Sequence, residues 1–462
     1  MKRTALIVAI ILLLLGASNP AAAQNRYIVR STGGAPSVLN FCLQLNCQVQ
    51  GALDGQVNQT FLVTSSTNVL QNLINNTLLF LESLSGIASV EADRLLPLPL
   101  PTSAGIPSGL YDNAPVNYYG TIVWHGYAAQ PAAQIIRLTD AQNGFGVHGS
   151  GIVAVIDTGV DVNHPVLYPV LLPGYDFTRN QPGASEWLDI SLLPTGIANS
   201  SVQGQEPGYV QQSTAAVLDQ STAAVLDGKD YAAFGHGTMT SGLVHLVAPG
   251  AKILPLKAFS ADGTGYLSNI ISAVYYAVQN HANVVNMSFD LTASSPALNQ
   301  AILTANQAGV VLVAAAGNES TNAAVYPAAL NTYVVGIAST SNNDTRSSFS
   351  NYGSTDVWIA APGENIVSTF PGGTYASSSG TSFSSPIVAG TVALMLSAKP
   401  QPPNQSQAAN ALTHGRVLTS DLNHGRLDAY QAVTAWVNTS TSTSTASATS
   451  ASTSSSCFLV CW

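Results

Sequence analysis

Hydrophobic positions in the middle of the chain form short, nearly unbroken runs. These runs are rich in Val and Ile, and they cover residues 151–157, 251–259, 283–289, 309–317 and 332–339. Runs of this kind are typical of strands that are buried on both faces of a parallel sheet. Apolar residues at helical spacing lie between several of them, as in 267–282 and 294–309. The alternation predicts a doubly wound α/β domain with a mostly parallel sheet.

Residues 24–100 show a different pattern, that of a smaller unit. Segments 26–30 and 60–64 alternate like half-buried strands, and 66–84 carries apolar residues at helical spacing. Strand character returns in 87–98, and the chain then becomes rich in Pro and Gly, which is the composition of a linker. We therefore expect a small α+β domain ahead of the main domain.

Both ends of the chain have a composition unlike that of a folded domain. Residues 1–23 combine a positive start, an apolar run and an Ala-Ala-Ala site, which predicts a secretory signal peptide rather than the alternative, an uncleaved anchor. Residues 437–462 are mostly Ser, Thr and Ala and are expected to be disordered.

Residues 178–230 are irregular and polar, and they indicate an insertion in the main domain.

Charge and cysteine content exclude some functions. Only 8% of the residues are charged and the formal net charge is −9, so no basic surface is available to bind nucleic acid. The four cysteines form two close pairs, Cys42 with Cys47 and Cys457 with Cys461. Export permits disulfides, and neither pair has partners for a zinc site, so local bridges or free thiols are favoured over metal.

Three polar residues follow or interrupt the buried segments at positions suited to chemistry. Ligands of open α/β sheets bind outside the carboxyl ends of the strands. Asp157 ends one strand after a run of apolar residues, although a turn aspartate satisfied by backbone donors is the alternative. His236 is the only histidine flanked by two glycines, which allow a close backbone approach. Asn318 ends another strand and carries a neutral donor suited to an oxyanion.

A serine-rich stretch at 377–385 precedes a long apolar segment. Pro386 is tolerated only in the first turn of a helix, so the helix should begin near Thr381 or Ser382. Ser382 would then lie at the helix N-terminus, where the helix dipole favours negative charge and its own N–H is available to an oxyanion.

Together, in the order Asp, His, Asn, Ser, these motifs resemble the subtilisin-like serine proteases. The resemblance covers about residues 145–436. It rests on the stretches 153–161, 235–238, 247–259, 261–265, 284–289, 314–319, 347–353, 360–369, 380–390 and 425–433.

The resemblance implies a role for each matching residue. Ser382 would be the nucleophile, His236 the general base, Asp157 its orienting acid, and Asn318 with the Ser382 N–H the oxyanion site. No cofactor or metal ion is needed for this chemistry, and calcium would have a place only as a structural ion. The matching substrate-binding segments, which would pair with an extended peptide, consist of Gly263, Thr264, Gly265, Ser288, Phe289 and Asp290.

The resemblance also implies an organisation. Residues 24–100 would be an inhibitory and chaperoning propeptide, and 101–436 the catalytic domain of a secreted endopeptidase that processes itself. The expected partners are polypeptide substrates and the chain's own propeptide, with no nucleic acid and no membrane after signal cleavage. We expect a monomer in the extracellular space or the periplasm.

Three departures from the family pattern affect this expectation. Met239 stands where many members have a second histidine outside the triad. Val166 replaces an acidic ligand, and only residues 243–246 stand where relatives have a longer calcium loop, so the usual strong calcium site is expected to be absent. Asp290 stands where glycine is common; it either adds a preference for basic substrate residues or is a solvated carboxylate without effect.

Two other functions remain possible at this stage. An exopeptidase of the same fold would result if the 178–230 insertion closed one end of the cleft. A non-catalytic binding protein on a protease scaffold is the other, but such proteins usually lose a catalytic residue, and here the complete set is present.

Overall fold

The computed structural model describes residues 25–75, 86–98, 107–190 and 231–439. The predicted signal peptide, most of the 178–230 insertion and the predicted tail beyond residue 439 lie outside the described residues. Cys457 and Cys461 lie outside them as well.

The first part of the described chain is a four-stranded antiparallel sheet with two helices. The strand order is β2-β3-β1-β4, and Val29, Phe41 and Phe61 belong to a core of its own. Its elements, with a further short strand, are β1 (Asn25–Ser31), α1 (Gly34–Leu45), β2 (Gln48–Ala52), β3 (Thr60–Ser65), α2 (Val69–Asn75), β4 (Ile87–Ala92) and β5 (Leu95–Pro97).

Two details of this unit refine the sequence predictions. Helix α2 covers only part of the predicted 66–84 helix: residues 66–68 precede it and are not helical, and 76–84 lie outside the described residues. The predicted strand 87–98 is two strands, β4 and β5, because β5 leaves the small sheet and pairs elsewhere. Cys42 and Cys47 form a disulfide, the first of the two expected alternatives.

The main domain is built on an eight-stranded sheet of order β10-β9-β11-β8-β13-β14-β15-β16. Every neighbouring pair is parallel except β10 with β9 at one edge. The strands are β8 (Ile152–Asp157), β9 (Tyr175–Asp176), β10 (Gln181–Pro182), β11 (Lys252–Lys257), β13 (Val284–Met287), β14 (Val311–Ala315), β15 (Val335–Thr340) and β16 (Ile359–Pro362).

Helices cover both faces of this sheet. Val153 and Val155 point to one apolar layer, whereas Ala154 and Ile156 belong to the other. The helices are α3 (His125–Ala128), α4 (Pro131–Ile135), α5 (Leu138–Phe145), α6 (His236–Val247), α7 (Leu267–Gln279), α8 (Pro296–Gln307), α9 (Thr381–Ala398), α10 (Gln405–Leu412) and α11 (Ala429–Asn438). The predicted doubly wound α/β class is confirmed.

Short antiparallel pairs complete the domain. They are β6 (Pro115–Tyr118) with β7 (Thr121–Trp124), β17 (Ile366–Phe370) with β18 (Thr374–Ser378), and β12 (Thr264–Tyr266) with β5. Helix α9 is long and apolar enough to span a membrane by composition, but 83% of it is buried inside the domain, where it is the central core helix.

The strand order places one end of β8 at a switch point. After β8 the chain forms β9, β10, α6 and β11 on one side of β8, and it then returns through α7 to β13 on the other side. Crevices form where the strand order reverses, outside the carboxyl ends of the strands. Asp157 is the last residue of β8 and therefore lies at this crevice.

Candidate active site

Asp157 is fully buried and its carboxylate is saturated with donors. Oδ1 accepts hydrogen bonds from the Thr158 N–H at 2.7 Å and from Nδ1 of His236 at 2.7 Å. Oδ2 accepts one from the Thr240 hydroxyl at 3.1 Å. A buried carboxylate is costly unless donors of this kind replace water, so these contacts explain how the charge is kept at the end of an apolar strand.

His236 begins helix α6, and both neighbouring glycines are required by close packing. Gly235 has a φ of +88°, the left-handed region that favours glycine. A Cβ at position 237 would lie 2.1 Å from the carbonyl oxygen of Gly159. The Asp157 contact assigns the proton to Nδ1, and Nε2 has no hydrogen-bond partner within the described part of the chain.

The environment of His236 determines its basicity. Burial lowers the pKa of the imidazole, but the neighbouring carboxylates of Asp157 and Glu186 outweigh burial and raise the pKa above its usual value. The ring is therefore a stronger base than an exposed histidine.

Ser382 is the second residue of α9, as predicted, but Pro386 is not in the first turn of this helix. Pro386 is the sixth residue of α9, so the prediction that it would lie in the first turn is wrong. A proline at this position leaves the carbonyl four residues earlier without its helical donor. That carbonyl belongs to Ser382, and the Ser288 hydroxyl donates to it at 2.8 Å. A hydroxyl on a neighbouring strand end thus replaces the missing backbone donor.

The Ser382 side chain lies against the same strand end. Its hydroxyl donates to the carbonyl oxygen of Ser288 at 3.2 Å. The amide of Asn286 donates to the Ser288 hydroxyl at 2.9 Å and accepts from the Ser385 hydroxyl at 2.7 Å. This buried network fixes the first turns of α9 to the carboxyl end of β13.

Asn318 faces the N-terminus of α9. Its Oδ1 accepts the Thr381 N–H at 2.9 Å and the Thr381 hydroxyl at 3.0 Å. These two bonds fix the orientation of the amide, and they leave its buried Nδ2 without a partner among the described residues. The N–H of Ser382, the second residue of a helix, has no intrahelical acceptor either. Two donors are thus available beside the Ser382 hydroxyl.

Sequence reasoning missed one buried acid in this region, Glu186. It lies in a 3-10 turn, Glu186–Asp189, inside the segment interpreted as an irregular insertion. Burial raises its pKa to about 7, although the Thr158 and Thr238 hydroxyls and Lys257 lower it. The one sequence signal that could have pointed to Glu186 is the low charge of the chain. With only 23 Asp and Glu residues, each acid could have been considered as a candidate for a buried role.

The first predicted substrate-binding segment lies on β12 and is occupied by the N-terminal unit. Strand β5 pairs antiparallel with β12, with Leu96 opposite Gly265. The pairing continues with the Leu98 N–H, which donates to the Gly263 carbonyl at 2.7 Å. Leu96 and Leu98 are buried in the same apolar cluster as Phe289, whereas Leu95 is 55% exposed.

The second predicted segment, Ser288–Asp290, follows β13. Ser288 contacts Ser382 as described, and Phe289 packs on Phe259 with ring centroids 5.4 Å apart. Burial, together with the carboxylates of Glu319 and Asp356, raises the pKa of Asp290 to about 7. Its Oδ2 is buried without a hydrogen-bond partner in the described part of the chain, beside Gly317.

The positions that depart from the family pattern are filled by core packing. Val166 and Met239 are each 2% exposed, and residues 243–246 continue α6 without interruption. Among the described residues, no cluster of three or more His, Cys, Asp or Glu side chains could hold a metal ion.

A doubly wound sheet with buried Asp, His and Ser side chains and a half-buried Asn at the carboxyl ends of its strands defines a class, that of the α/β serine hydrolases. The sequence model of the subtilase family, a family of serine-type peptidases, matches residues 149–425, more than half of the chain. The chain belongs to the subtilase family, as the sequence motifs predicted.

Several subtilases are similar to this chain. It is 35% identical over 298 residues to thermitase of Thermoactinomyces vulgaris, covering 62% of this chain and 89% of thermitase. It is 33% identical over 286 residues to the thermophilic serine proteinase of Bacillus sp. (strain AK1), covering 61% of each.

A solved structure shares the fold of both parts. The crystal structure of fervidolysin from Fervidobacterium pennivorans, described as a keratinolytic enzyme related to subtilisin, matches with a TM-score of 0.65 at 20% identity. The match covers 90% of this chain and 62% of the fervidolysin chain. At this identity the likeness concerns the fold alone.

Proposed function

We propose that the chain is a serine endopeptidase that hydrolyses peptide bonds through an acyl-enzyme on Ser382. The observation that carries the proposal is the 2.7 Å contact between Nδ1 of His236 and Asp157. The ring of Phe383, the residue after Ser382, lies 5.4 Å from the same imidazole, and the unpaired Nδ2 of Asn318 lies at the N-terminus of α9. This arrangement leaves Nε2 as the one ring atom able to take a proton. Family membership supports the same reaction.

The reaction needs one change from the resting contacts. The Ser382 hydroxyl turns from the Ser288 carbonyl toward Nε2 of His236, which takes its proton as Oγ attacks the substrate carbonyl carbon. His236 then donates this proton to the departing amine, and the acyl group stays on Ser382. Water, deprotonated by the same imidazole, releases the acyl group and restores the serine. Asp157 stabilises the imidazolium throughout and keeps its proton on Nδ1.

The oxyanion of the tetrahedral intermediate would be bound by Nδ2 of Asn318 and the N–H of Ser382. Both donors are fixed before substrate arrives, because Thr381 holds the Asn318 amide and α9 holds the Ser382 backbone. Donors that need no reorganisation stabilise the transition state more than the ground state.

The substrate would bind as an additional strand on β12, at Gly263, Thr264 and Gly265. The N-terminal unit supports this assignment, because β5 already pairs there in an extended form. Leu96 and Leu98 bury their side chains and Leu95 and Pro97 do not, so the cleft should accept apolar residues at alternate substrate positions. Ser288, Phe289 and Asp290 would form the opposite wall.

Residues 24–100 would serve as an inhibitory propeptide, removed by the enzyme itself. Besides β5, two carboxylates join this unit to the catalytic domain. Glu91 accepts the Ala297 N–H at 2.9 Å, and Asp93 accepts the Ser268 N–H at 2.8 Å. These N–H groups belong to the second residues of α8 and α7, and negative charge at a helix N-terminus is stabilising.

The double substitution of Glu91 and Asp93 by Ala tests this role of the N-terminal unit. Each lost cap is worth roughly 0.5–2 kcal/mol, so the cleaved unit should leave the enzyme about tenfold faster or more. The lag before full activity measures this release. A lag equal to that of the unchanged chain would contradict the proposed role.

We further propose that no metal ion takes part in the reaction and that the strong calcium site of relatives is missing. The apolar environment of Val166 and the uninterrupted α6 support this. Tight calcium binding with a large rise in the thermal midpoint of unfolding would contradict it. The signal-like N-terminus supports export, and we propose a monomer that acts in the extracellular space or the periplasm.

Casein hydrolysis by the processed protein tests the endopeptidase function directly. Internal cleavage should release peptides of many lengths, and a fluorophosphonate reagent should abolish it by labelling Ser382. Release of only single residues or dipeptides from chain ends would contradict the endopeptidase proposal and favour an exopeptidase.

A further inference from the structure

The carboxylate of Glu186 accepts hydrogen bonds from four groups, all within one buried region. Oε1 accepts from the Thr158 hydroxyl and from the N–H groups of Gly235 and Gly237, the latter two at 3.2 Å. Oε2 accepts from the Thr238 hydroxyl at 2.5 Å. Glu186 is 1% exposed, and nothing in the reaction described above uses it.

These donors come from the two segments that carry the buried acid–base pair. Thr158 directly follows Asp157, and Gly235 and Gly237 lie on either side of His236. The Thr158 hydroxyl also accepts the Gly237 N–H at 2.9 Å, so one hydroxyl and one carboxylate connect the end of β8 to the start of α6. The Thr238 hydroxyl accepts the Asp161 N–H at 2.8 Å and extends this connection to the loop after β8.

We propose that Glu186 is a positioning residue of the peptidase reaction: its carboxylate joins the residue after Asp157 to the residues flanking His236, and it holds the imidazole against Asp157. The hydrogen bonds of Glu186 are independent of the proposed function. The expected effect of Glu186 on the reaction rate rests on that function. Each hydrogen-bonded group around this carboxylate is a donor, so the local hydrogen bonds favour the ionised form and oppose the burial that raises the pKa of Glu186 to about 7.

The charge of Glu186 also acts on the imidazole across the helix N-terminus. The charged groups that face the Glu186 carboxylate are Asp157, His236 and Lys257. Lys257 is paired with Asp189 at 2.7 Å and donates to the Thr158 carbonyl at 2.7 Å. Glu186 is thus a second negative charge near the imidazole that raises its pKa, after Asp157 itself.

The test is a proton NMR titration of His236 in the inactive Ser382→Ala chain, with and without Glu186→Gln. The Nδ1 proton shared with Asp157 gives a resonance far downfield, which can be followed in a large protein. Loss of the negative charge should lower the pKa of His236 by on the order of half a unit or more. Loss of two acceptor sites should also broaden the downfield resonance.

Asp176→Asn in the same background is the matched control. Asp176 is a buried carboxylate of the same sheet, paired with Arg179 at 3.0 Å, and the hydrogen bonds given for its carboxylate within the described residues come from Thr178 and Arg179. Its removal should lower the thermal midpoint without moving the pKa of His236. An unchanged pKa and an unchanged downfield resonance in Glu186→Gln would overturn the proposal.

Two further variants keep the proposal testable if Glu186→Gln does not fold. Glu186→Asp keeps the charge and should keep the pKa near that of the parent. Thr238→Val removes the hydroxyl that holds Oε2, which favours protonation of Glu186, so the pKa of His236 should fall. Parent-like titration of Thr238→Val, with the fold intact, would contradict the proposal.

In chains with Ser382 restored, the kinetics give a separate readout. Glu186→Gln should lower kcat by about tenfold to a hundredfold with little change in KM, and it should move the acid limb of kcat/KM to lower pH. A chain that shows the NMR shift but hydrolyses no peptide would refute the proposed function and leave the positioning role intact. If the chain hydrolyses peptides but Glu186→Gln leaves the pKa of His236 unchanged, the proposed function stands and the positioning role of Glu186 is refuted.

Discussion

The two halves of the active site differ in how their polar atoms are satisfied. On the side of the base, both oxygens of Asp157 accept hydrogen bonds. On the side that faces Ser382, Nδ2 of Asn318 and the outer ring nitrogen of the base, Nε2 of His236, have no partner in the described residues. A buried polar group without a partner costs roughly 1–3 kcal/mol. The carboxylate that orients the base is thus held by three hydrogen bonds, whereas the two side-chain atoms that the reaction would use first are buried without a partner.

Asp157→Asn breaks the rigid half and should have the largest effect. The amide presents a donor toward Nδ1 and favours the wrong tautomer, so kcat should fall about 10⁴-fold. Steady-state kinetics measure this loss. Asp161→Asn is the control, because this buried carboxylate accepts the Asn163 and Gly372 N–H groups away from the triad. If Asp157→Asn lowers kcat by less than about tenfold, the hydrogen bonds of Asp157 do not serve to orient His236 for catalysis.

Asn318→Ala breaks the open half. It removes one oxyanion donor and leaves the triad unchanged, so kcat should fall about 10²–10³-fold with KM nearly constant, the size found in subtilisin. Thr381→Val removes only one of the bonds that orient this amide and should cost about tenfold or less. An equal rise in KM would instead indicate a role for Asn318 in ground-state binding.

The pH dependence of kcat/KM reports the negative charge beside the base. Only neutral His236 can accept the serine proton, and the carboxylates of Asp157 and Glu186 raise its pKa above 6.5 despite burial. The rate constant kcat/KM should therefore fall about tenfold per pH unit below a midpoint above 6.5. A flat profile between pH 5 and 9, or a midpoint below 6, would contradict this reading.

Asp290→Asn should have the smallest effect. The pKa of Asp290 is raised to about 7, so its charge is present mainly at higher pH. At pH 9 the variant should lose a several-fold preference for Lys or Arg over Leu beside the scissile bond, whereas at pH 5.5 the two enzymes should have similar preferences. Identical peptide-library profiles at both pH values would show that Asp290 plays no part in specificity.

The sequence predicts the parts of this molecule that local patterns encode. Apolar runs predict the strands of the sheet because burial on both faces leaves no polar alternation. The glycines around His236 and the helix after Ser382 are local signals too. Glu186 and the Ser288–Ser382 contact could not be predicted, because they depend on which segments the fold brings together. Pro386 was misplaced for the same reason: its missing hydrogen bond is replaced by a hydroxyl more than 90 residues away in sequence.

The most direct test of the account is the intact mass of the purified chain compared with that of Ser382→Ala. We expect the unchanged chain to be cleaved near residues 94–110, a range that includes β5 on the proposed substrate-binding strand, and Ser382→Ala to stay whole. If both proteins stay whole, and the unchanged chain hydrolyses casein no faster than Ser382→Ala, Ser382 is not a nucleophile and the account is wrong.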